Sequence, residues 1–338
     1  ILVIAALALV ATACSGDDGG ATTAPPATTA APTTAAPTTA APTTTAPETT
    51  TTAPTTTQAA LEVRTFVGAD GVESDVTDTS RIVSLNGDIT EILFELGVGA
   101  SVVAVDVTTT FPEEAAALPQ VGFGQRLAAE GVLAFGPTLV IGDQQVGPPE
   151  VVQQLRDAGV PVVILETQTS LDGVATKIAQ LAEIVERPEG GETLAAAVSA
   201  EIEAAQALVP GGEPPKVAYV YARGPQTLLF FGAGMPTQAM IEGAGALDVS
   251  VLAGVFGPQP LTPEALVAAA PEVLVLPAAG FGALGGPEAL LAVPGVADTP
   301  AGQSGTFLVY EEGYFFGLGP RTGQALEQLI RDLYPDIG

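Results

Sequence analysis

The sequence predicts an α/β protein of two βα lobes with parallel-rich sheets, joined by a single long backbone helix, with a ligand cleft between the lobes. Three observations predict it. From residue 81 onward, short runs rich in Val, Ile and Leu alternate with amphipathic stretches at helical spacing. The same alternation resumes after residue 215. Between the two lies an Ala-rich stretch with helical periodicity and no strand signal. Alternating strand and helix marks parallel sheets covered on both faces. Ligands of such folds sit in a crevice outside the carboxyl ends of the strands.

The elements follow in order. Residues 81–85 (RIVSL) form a short apolar strand, and residues 89–99 (ITEILFELGVG) an amphipathic helix closed by glycine. Residues 102–105 (VVAV) are a strand. Residues 128–142 read as helix, turn and strand, and residues 148–165 (PPEVVQQLRDAGVPVVIL) repeat that order. These make an N-lobe over residues 80–170. A helical segment over 171–209 follows, broken near ERPEGGE (186–192), and its second piece is the interlobe backbone helix. The C-lobe, 215–338, has strands at 216–221, 273–277 and 305–310 and helices at 236–242, 262–270, 287–293 and 321–334.

The chain carries 38 acidic against 10 basic residues, a formal charge of −28. Such a surface repels nucleic acid and anionic headgroups, because binding phosphate needs clustered Lys and Arg. There is no histidine, and Cys14 is the single cysteine, so the common nucleophile–base arrangements and an intrachain disulfide are both absent. Carboxylates are plentiful, yet no pair is singled out by spacing for glycoside chemistry. The expectation is a protein that is not an enzyme and uses no catalytic cofactor.

Residues 1–10 form an apolar run of signal-peptide length, too short to span a bilayer, followed by Ala11-Thr12-Ala13 and Cys14. Without an initiator Met or a basic n-region, residues 1–14 read as a truncated signal peptide. The start resembles a lipobox, whose cysteine is lipidated and becomes the mature N-terminus. Ala11 stands where the usual leucine would be. An ordinary secretory signal with an incidental cysteine is the alternative. Residues 15–60 are dominated by Thr/Ala/Pro repeat that cannot bury enough apolar surface to offset the entropy of ordering. They read as a tether of polyproline-like stretches, its extended limit of order 100 Å.

The order of lipobox, tether, lobe, single helix and lobe resembles the helical-backbone class of solute-binding proteins of ABC importers, which carry cobalamin, ferric siderophores or haem. RIVSLNGDITEILFELGVG, LPQVGFGQRLAAEGVLAFGPTLVIGD, GPPEVVQQLRDAGVPVVIL, LTPEALVAAAPEVLVL and GLGPRTGQALEQL carry the resemblance over about residues 80–338. AEGVLAFGPTLVI, YARG, QAMIEGAGA and GLGPRTG look most like haem-binding members. The resemblance implies small lobe closure, a dimeric permease as partner and location on the outer face of the cell membrane, lipid-anchored through Cys14. Haem is the implied cargo, with a ferric siderophore or cobalamin as the alternative.

In one branch of the haem binders a strand-end tyrosine ligates ferric iron and an arginine two residues on supports it. Tyr221 and Arg223 match that pattern. In a strand, residues i and i+2 share a face, so both can look into the cleft. A free phenol, with a pKa of about 10, is a poor ligand at neutral pH, and ferric iron with a nearby guanidinium favours the phenolate. The plainer reading is a half-buried strand tyrosine and an arginine that caps a turn. Other haem binders carry an N-lobe tyrosine where this chain has Phe111, which can stack on a porphyrin but cannot ligate iron. The tyrosine branch also uses an N-lobe histidine, which aligns near Gln125. Haem iron would thus be five-coordinate through Tyr221, or six-coordinate through water or Met235, itself a residue type that more often fills gaps. Arg126 and Arg321 are candidate partners for ligand carboxylates, or surface arginines paired with acids. Glu130 and Glu264, each in a first helical turn, match the family positions that dock on the permease, and they also suit the helix dipole.

GFGALG (280–285) satisfies G-x-G-x-x-G, a dinucleotide-binding signal, but in a glycine-rich chain and outside an N-terminal βαβ unit it is a weak one. A cell-wall stalk or adhesion module would not need two βα lobes around one helix.

Overall fold

The computed structural model describes residues 63–224 and 227–337; Cys14 and the tether lie outside the described residues. The described chain opens with a hairpin, β1 (Arg64–Val67) and β2 (Glu73–Val76), with Arg64 opposite Val76. Ser74 Oγ donates to the Val162 carbonyl (2.8 Å) and the Ala69 amide to that of Ile164 (2.7 Å), which fixes the hairpin to the N-lobe.

That lobe contains β3 (Ile82–Ser84), α1 (Gly87–Glu95), β4 (Val102–Val105), α2 (Glu113–Ala116), α3 (Ala129–Leu133), β5 (Leu139–Asp143), α4 (Pro149–Asp157) and β6 (Val162–Leu165). Its sheet is all parallel, in the order β4-β3-β5-β6. Every residue of β3, β5 and β6 is buried, as expected of parallel strands covered on both faces.

Two helices follow, α5 (Gly173–Ile184) and α6 (Pro188–Gln206). The break expected across 186–192 is narrower. Glu186 turns the chain at φ 59° and Pro188 occupies the first turn of α6, so Gly190 and Gly191 are helical. Proline suits that position because its missing N–H is one of the unpaired donors of a helix start. Gly191 is needed by proximity, since a Cβ there would lie 2.2 Å from that of Ala182.

The C-lobe comprises β7 (Lys216–Ala222), β8 (Leu228–Phe231), α7 (Pro236–Gly243), β9 (Leu247–Asp248), α8 (Val249–Leu252), β10 (Pro258–Pro260), α9 (Pro263–Ala269), β11 (Val273–Pro277), α10 (Ala278–Leu284), α11 (Pro287–Leu291), α12 (Pro300–Ser304), β12 (Phe307–Tyr310), α13 (Glu312–Phe316) and α14 (Thr322–Leu333). Strands β9, β7, β11 and β12 are parallel, whereas β8 and β10 are antiparallel additions that simple βα alternation does not anticipate. Gly224, at φ 74°, supports the reversal that returns the chain from β7 as β8. The G-x-G-x-x-G stretch forms α10, not a phosphate-binding turn. Gly280 is required there because a Cβ would lie 1.9 Å from the Ala222 carbonyl oxygen.

One hydrophobic cluster runs through both lobes, from Ile89 and Ile92 through Ile178 and Val198 to Leu326 and Val275. Helices α5 and α14 both pack on α6. The lobes therefore share a buried spine.

Candidate functional site

The end of β7 carries the first group of residues. Tyr219 and Tyr221 share a face of the strand. Tyr219 is buried among Phe231, Phe315 and Phe316, and Phe315 stacks in turn on Tyr310 (5.0 Å between ring centres). This aromatic bed fixes Phe231, on which the half-buried Tyr221 ring stacks at 5.1 Å and 14°. The Tyr221 hydroxyl donates to Glu312 Oε1 at 3.5 Å. Arg223 follows at the bend after β7, and its guanidinium lies 5.4 Å from the Tyr221 ring centre and 4.9 Å from that of Phe123, in the other lobe. Its nearest carboxylate oxygen is Glu312 Oε1, at 3.9 Å.

The sequence expectation that Arg223 lowers the phenol pKa holds in direction only. Burial pushes the Tyr221 phenol up, the Glu312 carboxylate adds to that, and Arg223 draws it only partly back. Burial also raises Glu312, against the pull of Arg223. The ligand-free phenol is thus neutral at pH 7.

A second arginine joins the lobes. Arg321, at the start of α14, donates from Nε and Nη2 to the two carboxylate oxygens of Glu91 on α1, at 2.8 and 2.9 Å. Its guanidinium is 3.9 Å from the centre of the Phe111 ring and 5.2 Å from that of Tyr314. Beside it, Lys177 pairs with Asp88 and donates to the Gly317 carbonyl, and Thr110 Oγ1 donates to Glu311 Oε1 at 3.0 Å. Phe111 and Arg321, both expected at the ligand, are thus in contact with each other, and the guanidinium is already engaged.

The remaining candidates are more dispersed. Gln125 donates to Gln145 Oε1 (3.0 Å), and Arg126 is exposed with no ion pair among the described residues. Met235 precedes α7 and packs against the main core. Glu130 and Glu264 are exposed in the first turns of α3 and α9, one per lobe. Among the described residues there is no cluster of three His, Cys, Asp or Glu side chains able to hold a metal, and no helix long and apolar enough to cross a membrane.

Sequence reasoning missed Phe123, Glu312, Tyr314 and Glu91. Glu91 left one trace, a carboxylate between Ile89 and Ile92 on the apolar stripe of α1. Phe123, an aromatic set between two glycines, left another.

A family model described as Periplasmic binding protein matches residues 82–313. The chain belongs to the periplasmic binding protein family. The family consists of transport components, and membership implies a location on the outer side of the cytoplasmic membrane. The periplasmic heme-binding protein RhuT from Roseiflexus sp. RS-1, in apo form, is 44% identical with a TM-score of 0.75, covering 77% of this chain and 100% of that one. The heme-binding protein HmuT is 34% identical with a TM-score of 0.77, covering 81% and 90%. Solved forms of HmuT include alanine variants of a tyrosine, of an arginine two positions on, and of a histidine. A vitamin B12-binding protein from Vibrio campbellii is 35% identical over 141 residues, 42% of this chain and 50% of that relative. The chain thus spans about half the length of the first curated relatives it matches.

Proposed function

We propose that this chain captures haem between its lobes and delivers it to the dimeric permease of an ABC importer, performing no covalent chemistry on it. The observation that carries the proposal is the Tyr221–Arg223 pair at the end of β7, facing Phe123 of the other lobe. It repeats the tyrosine–arginine spacing altered in HmuT. The phenol is the proposed ligand for ferric iron at that point, and ligation displaces its proton. Arg223 then faces the phenolate or a ligand carboxylate with a compensating charge. Gln125, Arg126 and Arg321 remain candidate polar neighbours of the ligand. Glu130 and Glu264 are the proposed contacts with the permease. Cys14 is the proposed lipid attachment point, with residues 15–60 as the tether.

The test is a ferric haem titration followed by absorption spectroscopy, with Tyr221→Phe in parallel. Stoichiometric binding with a phenolate-to-iron charge-transfer band, lost in Tyr221→Phe, supports the reading. No saturable haem binding, or a spectrum unchanged in the variant, refutes it. The curated relatives named for vitamin B12 favour one second reading, cobalamin as cargo. Saturable cobalamin binding that is indifferent to Tyr221→Phe would favour it.

A further inference from the structure

Two arginines join the lobes in the same way. Each C-lobe guanidinium lies between an N-lobe phenylalanine and a C-lobe tyrosine: Arg223 between Phe123 and Tyr221, Arg321 between Phe111 and Tyr314. They differ in what else holds them. Arg321 is bonded twice to Glu91, whose side chain is only 6% exposed. Withdrawing it would strand a buried carboxylate, among the more expensive changes a protein interior can undergo. Arg223 is 48% exposed, and its one carboxylate neighbour is 3.9 Å away. Such an exposed, loosely paired cation loses little by moving.

From this contrast we infer that the ligand slot is the space now filled by the Arg223 guanidinium. Phe123 is its N-lobe wall and Tyr221 its C-lobe wall, while the Arg321 stack stays shut as a fixed contact. The inference rests on the proposed haem function and adds the residue that faces the far side of the macrocycle. Arg223 lies over both rings and so holds the two walls apart; a macrocycle in its place stacks on Phe123 and turns its iron toward the Tyr221 oxygen, with the Tyr221 ring inclined to the macrocycle. When the ligand enters, the guanidinium swings to the slot edge, where it still reaches the Tyr221 oxygen. Phe111 does not serve as this wall, because Arg321 covers it.

The N-lobe wall has no ligating atom at this level. Phe123 is flanked by Gly122 and by the buried Gly124, where a Cβ would lie 2.7 Å from the Leu85 carbonyl oxygen. Gln125 is turned to Gln145. Iron held by Tyr221 is therefore left five-coordinate, with an aromatic face in place of a second ligand.

The test measures haem dissociation and absorption spectra of wild type, Phe123→Ala, Phe111→Ala, Phe123→His and, as an exposed control, Phe256→Ala. Loss of one aromatic face predicts about tenfold faster dissociation for Phe123→Ala, its phenolate band retained. Phe111→Ala and Phe256→Ala are expected to dissociate as wild type does. Phe123→His is expected to convert the iron from five- to six-coordinate, read as a change in the absorption spectrum and in the coordination-sensitive resonance Raman bands. Dissociation accelerated by Phe111→Ala but not by Phe123→Ala, or an unchanged spectrum in Phe123→His, overturns the slot assignment while leaving the haem function standing. A wild type that binds no haem overturns both.

Discussion

Arg321→Ala removes two hydrogen bonds from Glu91, the stack on Phe111 and the contact with Tyr314. It leaves a carboxylate in a site where the side chain is 6% exposed. Removing one partner of a buried pair typically costs about 3–5 kcal/mol. The arginine side chain is itself 21% exposed, so water reaches the vacated space and the low end, about 3 kcal/mol, applies. For a folded region of this size that lowers Tm by about 5 °C.

The loss is pH-dependent. Burial already raises the Glu91 carboxyl above the ordinary range, and Arg321 draws it part of the way down. Without Arg321 it rises further. A folded pKa above the unfolded one means that the protonated site is the stable one. Its stability is fully present below the unfolded value and is lost as pH rises through the folded value. Arg321→Ala should therefore be more damaging at pH 8 than at pH 5. Glu91→Gln/Arg321→Met, which leaves no stranded charge, should recover part of the loss. Thermal melts of wild type and both variants at the two pH values test this. Equal losses at pH 5 and pH 8, or a double variant no more stable than Arg321→Ala, would refute the reasoning.

Two further outcomes follow from particular contacts. Gly280→Ala forces a Cβ to 1.9 Å from the Ala222 carbonyl oxygen and so displaces the end of β7. It should cost about 1–3 kcal/mol and weaken haem binding, whereas Gly282→Ala, with no atom within 4 Å of its Cβ, should be neutral or slightly stabilising in melts and titrations. Glu130→Arg with Glu264→Arg reverses charge at two exposed helix starts, one in each lobe. It should leave haem affinity unchanged and abolish transport in vesicles containing the permease; undiminished transport would remove both residues from the docking proposal.

The strands of the two lobes were legible because buried parallel strands need continuous β-branched runs, and 81–85, 102–105 and 273–277 provide them. The hairpin of β1 and β2 was not, because its strands are short and half polar and gain their burial from β6, distant in sequence. The same holds for β8, whose LLFF follows a glycine turn and becomes a strand only by pairing with β7. Alpha-helical α10 was hidden by its glycines, one of which is there for a neighbouring carbonyl and not for a turn. At the site, Tyr221 and Arg223 could be linked from sequence because two-residue spacing is a local rule. Phe123 with Arg223, and Glu91 with Arg321, are contacts between lobes, and no local periodicity encodes them.

The hairpin at the start of the described chain has a mechanical consequence. Arg64, through which any pull from the N-terminal side arrives, sits opposite Val76 at the open end of the hairpin. Tension there unzips β1 from β2 one residue pair at a time instead of shearing all pairs together. The first resistance is the grip of Arg64 on the carbonyls of Glu183 and Ile184 and on the Glu186 carboxylate. Once that slips, Arg64 through Val72 extend by roughly 30 Å, at 3.3–3.6 Å per residue. Strand β2 stays fastened through Ser74 and the buried Val76. While it peels, the strand caps the tension passed on to the lobes at the force needed to unzip it.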